Sequence, residues 1–375
     1  MLIRFLAKSA AALAFALCGV LRAAAPAEID GAYTVMLLGD THFDAPRFHD
    51  APLKGWRIAS HGRCYKMWES RSQELLTAAG KRAAAERVAF AVQLGDLVNG
   101  DCDTPALLRK MIRTGFPVVK KYFPDIPLLV VKGNHDIWTM KKVKNNAAAN
   151  IAWLPIISKE LGFQVTGNGC YAFRRGDDLY MAVDGFIPVE DIKTFVKATL
   201  EKNPKTRYVF FLSHLPLIPA SLRYPFWLLP GHYEILEMLE KRNVLILAAH
   251  THANSYAVRR TANGELPQLI VTSLGSDWDP EHRTPPKFDS WESFSKASRG
   301  RAVAGDRYNS PEMWGPLEKR GAYTFRELTG NSGFAVLDVD GDRVEVRYYT
   351  DDSGKPAATV RLPNKQKPAT GSPER

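Results

Sequence analysis

Cysteine is scarce in this 375-residue chain, acidic residues are outnumbered, and no apolar run reaches the length of a membrane span. Four cysteines at unrelated spacings exclude a disulfide-stapled scaffold and a thiolate zinc site. Forty Asp plus Glu face fifty Lys plus Arg, a formal charge of +10 that favours anionic partners: nucleic acid, phosphorylated metabolites or membrane headgroups. The longest apolar stretch, Ala10 to Leu21, has about 12 residues where a spanning helix needs roughly 20. Internal repeats are missing, and so is any Asn-x-Ser/Thr acceptor, which leans toward a bacterial exported protein. What is present, 45% hydrophobic and 24% charged residues, suffices for a sizeable buried core.

The apolar stretch follows Arg4 and Lys8 and ends at Ala25-Pro26-Ala27, the layout of a cleaved export signal. Removing residues 1–27 takes away Arg4, Lys8, Arg22 and Cys18, so the charge falls to +7 and three cysteines remain. At most one disulfide can then form, with Cys64 and Cys102 as a candidate pair. The expectation is a periplasmic or secreted protein with no transmembrane span in the mature chain.

From Thr34 onward, short β-branched runs alternate with helical patterns, which predicts an α/β fold. Strands are expected at 33–38, 88–94, 128–131, 207–212 and 244–249, a hairpin over 170–183 turning at Gly176-Asp177, and further strands at 336–339 and 344–349. Helical patterns cover about 66–87, 107–122, 145–161, 189–201 and 233–242, the second capped by Asp103 or Thr104 with Pro105 in its first turn. One domain over 28–350 accounts for this order. Inside it, 276–326 lacks a sustained period and is rich in aromatics, which suggests an irregular lid or substrate surround. Residues 351–375 are expected to be a tail, disordered from 363.

The polar clusters sit where the predicted strands stop, which is where α/β folds build their sites. They are Asp40-x-His42, Asp96, Asn134-His135-Asp136, His214 and His250-x-His252. Imidazole and carboxylate together suit borderline divalent metals. On an extended segment, residues spaced i, i+2 point the same way, so each pair is expected to act as a unit. These clusters hold five of the nine histidines, a concentration that scattered core histidines would not produce.

In their order, Gly39-Asp40-Thr-His42, Gly95-Asp96, Gly133-Asn134-His135-Asp136, Ser213-His214 and Ala249-His250-Thr-His252 resemble the calcineurin-like metallophosphoesterases. The resemblance implies two mixed β-sheets packed as a sandwich, flanked by helices, with a dinuclear metal site at strand ends. It implies that Asp40, His42 and His252 bind one divalent ion, that Asn134, His214 and His250 bind the other, and that Asp96 bridges them. Mn, Fe and Zn all suit such ligands. A hydroxide bridging the pair would attack the phosphorus while His135 acts as the general acid toward the leaving group.

Departures from the family's patterns narrow the subclass. Gly95-Asp96-Leu-Val-Asn99-Gly100 lacks both the Asp that orients the acid and the Arg that grips phosphate in the phosphoprotein phosphatases. The Tyr that binds ferric iron in purple acid phosphatases is also Asn99 here. Ala249 stands where the family usually has Gly. An aromatic surround and no gripping Arg favour a phosphodiester; a phosphomonoester, a cyclic nucleotide or nucleic acid are the rival substrates, and a non-catalytic scaffold is the rival class. Candidate substrate contacts are Asn99, Lys141 and Lys142 in a basic stretch after His135, and Trp227 in the apolar segment 221–230. His49 and His61 lie outside the ligand pattern, within reach of a phosphate near the first block.

Overall fold

The computed structural model describes residues 31–49, 56–139, 143–222, 227–274, 287–299, 322–329 and 332–362. Strand β1 (Ala32–Leu38) leads to a long helix in three parts: α1 (Trp56–Met67), a π-turn (Trp68–Ser72) and α2 (Gln73–Ala85). Then come β2 (Phe90–Gln93), α3 (Pro105–Lys120), β3 (Leu128–Val130), the short β4 (Trp138–Thr139) and β5 (Val143–Lys144), and α4 (Asn146–Leu161). The chain continues through β6 (Tyr171–Arg175), β7 (Asp178–Val183), α5 (Val189–Lys202), β8 (Val209–Ser213), α6 (His232–Leu239) and β9 (Val244–Ala248). Last are β10 (Asn254–Thr261), β11 (Gly264–Ile270), β12 (Lys287–Phe288), α7 (Trp291–Arg299), β13 (Ala322–Thr329), β14 (Phe334–Asp340), β15 (Arg343–Tyr349) and β16 (Ala358–Arg361).

Two mixed sheets result. One runs β16-β15-β14-β1-β2-β3, the other β12-β13-β10-β11-β9-β8-β7-β6. In the first, β1, β2 and β3 are parallel; in the second, β7, β8, β9 and β11 are. The parallel strands are apolar without alternation because both faces are covered. In β8, Phe210 and Leu212 join the core shared with the first sheet, while Val209 and Phe211 join the core beneath α5 and α6. β9 divides in the same way, Leu245 and Leu247 inward and Val244, Ile246 and Ala248 outward. Helix α3 starts as expected, with the Thr104 hydroxyl accepting from the Leu107 N–H at 3.2 Å.

Three expectations change. Within 276–326, the described residues include β12, α7 and the start of β13, and Trp291, Phe294, Tyr323 and Phe325 are buried against the second sheet. Those aromatics are core rather than lid; their pattern escaped notice because a short helix and edge strands show too few repeats for a period. The expected tail contains β16, which extends the first sheet by pairing with β15. Cys102 and Cys170 are free buried thiols, so Cys64 and Cys102 are not bridged. Among the described residues, no helix is long and apolar enough to cross a membrane. The proposed leader, residues 1–27, lies outside them.

Candidate metal centre

The clusters follow the C-terminal ends of β1, β2, β3, β8 and β9, so adjacency of the parallel strands brings distant positions together. The loops are laced to one another by backbone. The N–H groups of Thr41 and His42 both donate to the Asp96 carbonyl, at 3.0 and 2.9 Å. Gln93, fully buried at the end of β2, donates its amide to the Gly39 and Gly95 carbonyls and accepts from the Gly95 N–H. Asp136 accepts from the N–H groups of Asp96, Val98 and Gly133 at 2.8–3.1 Å. Gln93 carried no signal in the sequence, since a polar residue at the end of an apolar run looks like any strand terminus.

Two glycines allow this closeness. A Cβ on Gly133 would stand 2.1 Å from Asp96 Oδ1, and one on Gly95, whose φ is +103°, would stand 2.4 Å from the His214 ring. The position where the family usually has Gly is filled by buried Ala249, whose N–H donates to the His214 carbonyl at 3.1 Å, so that departure is accommodated.

All seven expected ligands come together and are buried except for half-buried His252. His214 Nε2 lies 3.0 Å from Asn134 Oδ1, 3.0 Å from His250 Nδ1 and 3.2 Å from Asp96 Oδ2. His252 Nε2 lies 3.3 Å from His42 Nε2 and 3.6 Å from Asp40 Oδ1. The first set contains Asp96, His214 and His250, the second Asp40, His42 and His252. Ligands on one ion with bonds of about 2.1 Å lie roughly 3.0–3.5 Å apart, so both spacings fit a single cation each. Other observations agree. Asp40 Oδ1 is buried with no hydrogen-bond partner, and His214 Nδ1 is tied to the Leu94 carbonyl at 2.9 Å, which presents Nε2 to the cluster.

Of the i, i+2 pairs, Asp40 and His42 act as a unit in one cluster, whereas His250 and His252 divide as the resemblance implies. His42, His250 and His252 adopt φ of 49°, 70° and 57°, so the segments are tight left-handed turns rather than extended strands. His250 and His252 consequently part company, one to each cluster. Asp96 shares the conformation at 55°. Such backbone costs about 1–3 kcal/mol per residue, and its concentration here marks strain held at the site by the surrounding fold.

The electrostatics call for positive charge. Burial holds the His42 and His250 rings well below their usual range and pushes the Asp40 carboxyl well above its own. Burial also penalises charge on His214, yet Asp96 and Asp40 push that imidazole up to about 9. Asp96 itself, though desolvated, is held well below the carboxylate range by His214 and His135. A cation between them would supply the charge that His214 otherwise takes up.

His135 stands beside the clusters, half-buried, its ring edge-on to His42 at 4.6 Å. Its Nδ1 donates to the backbone carbonyl of Asn99 at 2.6 Å, which leaves Nε2 for other work. Asn99 was expected to touch substrate. Instead its side chain is buried and its amide donates to Asp44 at 2.8 Å, so it positions His135 through its carbonyl. Trp227 stacks on His250 with centroids 4.7 Å apart, and Trp138 packs on His135 at the same distance. Lys141 and Lys142 lie outside the described residues. Lys132, just before His135, is buried in an ion pair with Asp184 at 2.5 Å and adds nothing to a surface field. His49 and His61 are turned to Asp44 rather than to the clusters, a grouping with no signature in their spacing.

The family model of calcineurin-like phosphoesterases matches residues 33–254, more than half of the chain and all of the ligand blocks. The chain is a calcineurin-like phosphoesterase. Solved structures that this phosphoesterase resembles in fold include a dimetal phosphatase from Danio rerio, with 14% identity, TM-score 0.52, and 89% of this chain and 100% of that one covered. PhoD is similar, with 10% identity, TM-score 0.52, and 90% and 69% covered. GAP50, the anchor in the inner membrane complex of Plasmodium, is also similar, with 13% identity, TM-score 0.51, and 90% of each chain covered. No curated protein matches the phosphoesterase by sequence. Enzyme and anchor thus share this fold, and it is the intact set of buried His and Asp ligands that makes this member a metal-dependent phosphoesterase.

Proposed function

We propose that this chain is an exported phosphodiesterase that uses two divalent ions, one at Asp40, His42 and His252 and one at Asn134, His214 and His250, with Asp96 between them. The observation that carries the reading is the convergence of these side chains on two clusters with the His135 ring against one of them. Such a pair of ions supplies an activated water and neutralises the phosphoryl oxygens. The chain's own residues do the rest. Gln93, Asp136 and the Asp96 carbonyl lock the ligand loops, so little reorganisation is needed at the moment of reaction. His135, with Nδ1 held by Asn99, offers Nε2 to protonate the leaving oxygen.

Support for a diester is the lack of a gripping Arg in the second block and the presence of Trp138 and Trp227 against His135 and His250, apolar surface suited to a second ester group. The leader-like residues 1–27 support export. The reading is tested by comparing bis-(p-nitrophenyl) phosphate with p-nitrophenyl phosphate after loading with Mn2+, Zn2+ or Fe2+. Higher kcat/KM on the diester is expected, and turnover of the monoester alone would defeat the diesterase assignment.

A further inference from the structure

Two residues beyond His42, the chain builds another group of metal-binding side chains that the dinuclear centre does not use. Asp44 Oδ1 lies 2.8 Å from His49 Nε2, and Asp44 Oδ2 lies 2.7 Å from His61 Nδ1. The side chains are 0%, 3% and 15% exposed, so the group is an interior feature rather than a chance surface encounter. Its ligand atoms lie within 4.8 Å of one another.

We propose that Asp44, His49 and His61 form a third divalent-cation site, separate from the dinuclear centre. One carboxylate and two imidazoles are a donor set for Zn2+, Mn2+ or Fe2+. Each carboxylate oxygen faces a different imidazole nitrogen, so an ion on the carboxylate bisector would be gripped by both oxygens and capped by both rings. The ring centroids are 4.4 Å apart. Two imidazoles at right angles on one ion, each centroid about 3.2 Å from it, would be about 4.5 Å apart. The nitrogens need only retreat by roughly half an ångström to reach the spacing of ligands on one ion.

The Asp44 carboxylate already accepts from the Ala45 N–H and from Asn99 Nδ2, both at 2.8 Å. Those two donors leave one lone pair on each oxygen, the two that face the imidazoles. The site would also matter to the reaction. Asn99 joins Asp44 to His135, so an ion at Asp44 would stiffen the carbonyl that orients the proposed acid.

The proposal does not depend on the diesterase reading. Its test is the metal content of the full chain, stripped, reloaded with Zn2+, desalted and measured by plasma mass spectrometry. Wild type is expected to retain about three equivalents, and His49→Gln/His61→Gln about two with an unchanged circular dichroism spectrum. A second pair decides independently of whether that double variant folds: Asp96→Asn should keep an equivalent that Asp96→Asn/His61→Gln loses. A wild-type content of two would overturn the third site while leaving the dinuclear centre intact. A third equivalent that survives loss of both histidines, or equal contents in the Asp96 pair, would overturn it as well.

Discussion

At the scale of single residues, the centre depends on side chains whose role is set by what their other atoms touch. His135 is the clearest case. Its Nδ1 bond to the Asn99 carbonyl fixes the tautomer and leaves Nε2 to move a proton, without the carboxylate whose absence the second block already showed. An acid matters only when the leaving oxygen needs a proton, so His135→Ala should lower kcat on an alkyl phosphate diester by about 100-fold or more and on a nitrophenyl diester far less. Equal losses on both, measured with matched metal loading, would remove His135 from that role. The seven candidate ligands were legible from residue type and position after β-rich runs. Asn99's true contact was not, because a backbone carbonyl acts whatever side chain it carries. Nor was the left-handed backbone at His42, Asp96, His250 and His252, since Asp and His, though enriched there among non-glycine residues, adopt a positive φ in only a small minority of their positions.

At the scale of elements, most strands and helices were legible because burial on both faces leaves unbroken apolar runs and because capping residues mark helix starts. The elements that escaped are those defined by partners. The hairpin β10–β11, the edge pair β12–β13 and the strand β16 owe their existence to neighbours already in the sheet, not to a pattern strong enough to stand alone. The long helix is tied to the first sheet by charge as well as packing. Arg347 on β15 meets Glu86, just past α2, at 2.6 Å, and Glu86 also accepts from Arg82 at 2.6 Å. Partial burial alone would raise the Glu86 carboxyl, but Arg347 and Arg82 outweigh it and hold the pKa below its usual value. A group depressed in the folded state adds stability above its unfolded pKa and loses it as the pH falls through the folded one. Glu86→Gln should therefore destabilise the protein by about 1–2 kcal/mol near neutrality, with the difference shrinking at acid pH. Urea unfolding of both proteins at pH 7 and pH 3 measures this; a difference that grows at low pH would contradict the linkage.

At the scale of the whole molecule, a loaded centre should stabilise the sandwich, because its ligands come from both sheets and the unfolded chain cannot hold them in register. Removing the ions with a chelator should cost about 3 kcal/mol per tightly bound site and lower the Tm by roughly 6–12 °C, reversibly on adding metal back. Calorimetry with and without chelator checks this, and an unchanged Tm would mean that the clusters hold nothing tightly. The positive charge that first pointed to anionic partners belongs partly to the leader-like segment, whose Arg4, Lys8 and Arg22 supply three of the ten, so it says less about substrate than its size suggests. The sequence by itself determined the α/β class, the family and the list of candidate ligands, because these follow from local chemistry: residue type, apolar runs and the blocks that end them. Only the tertiary structure decided that the backbone turns left-handed at His42, His250 and His252, that Trp291, Phe294, Tyr323 and Phe325 belong to the core, and that Asp44, His49 and His61 meet. Those outcomes depend on strand order and on which loops lie side by side, and contacts between distant positions leave no local trace.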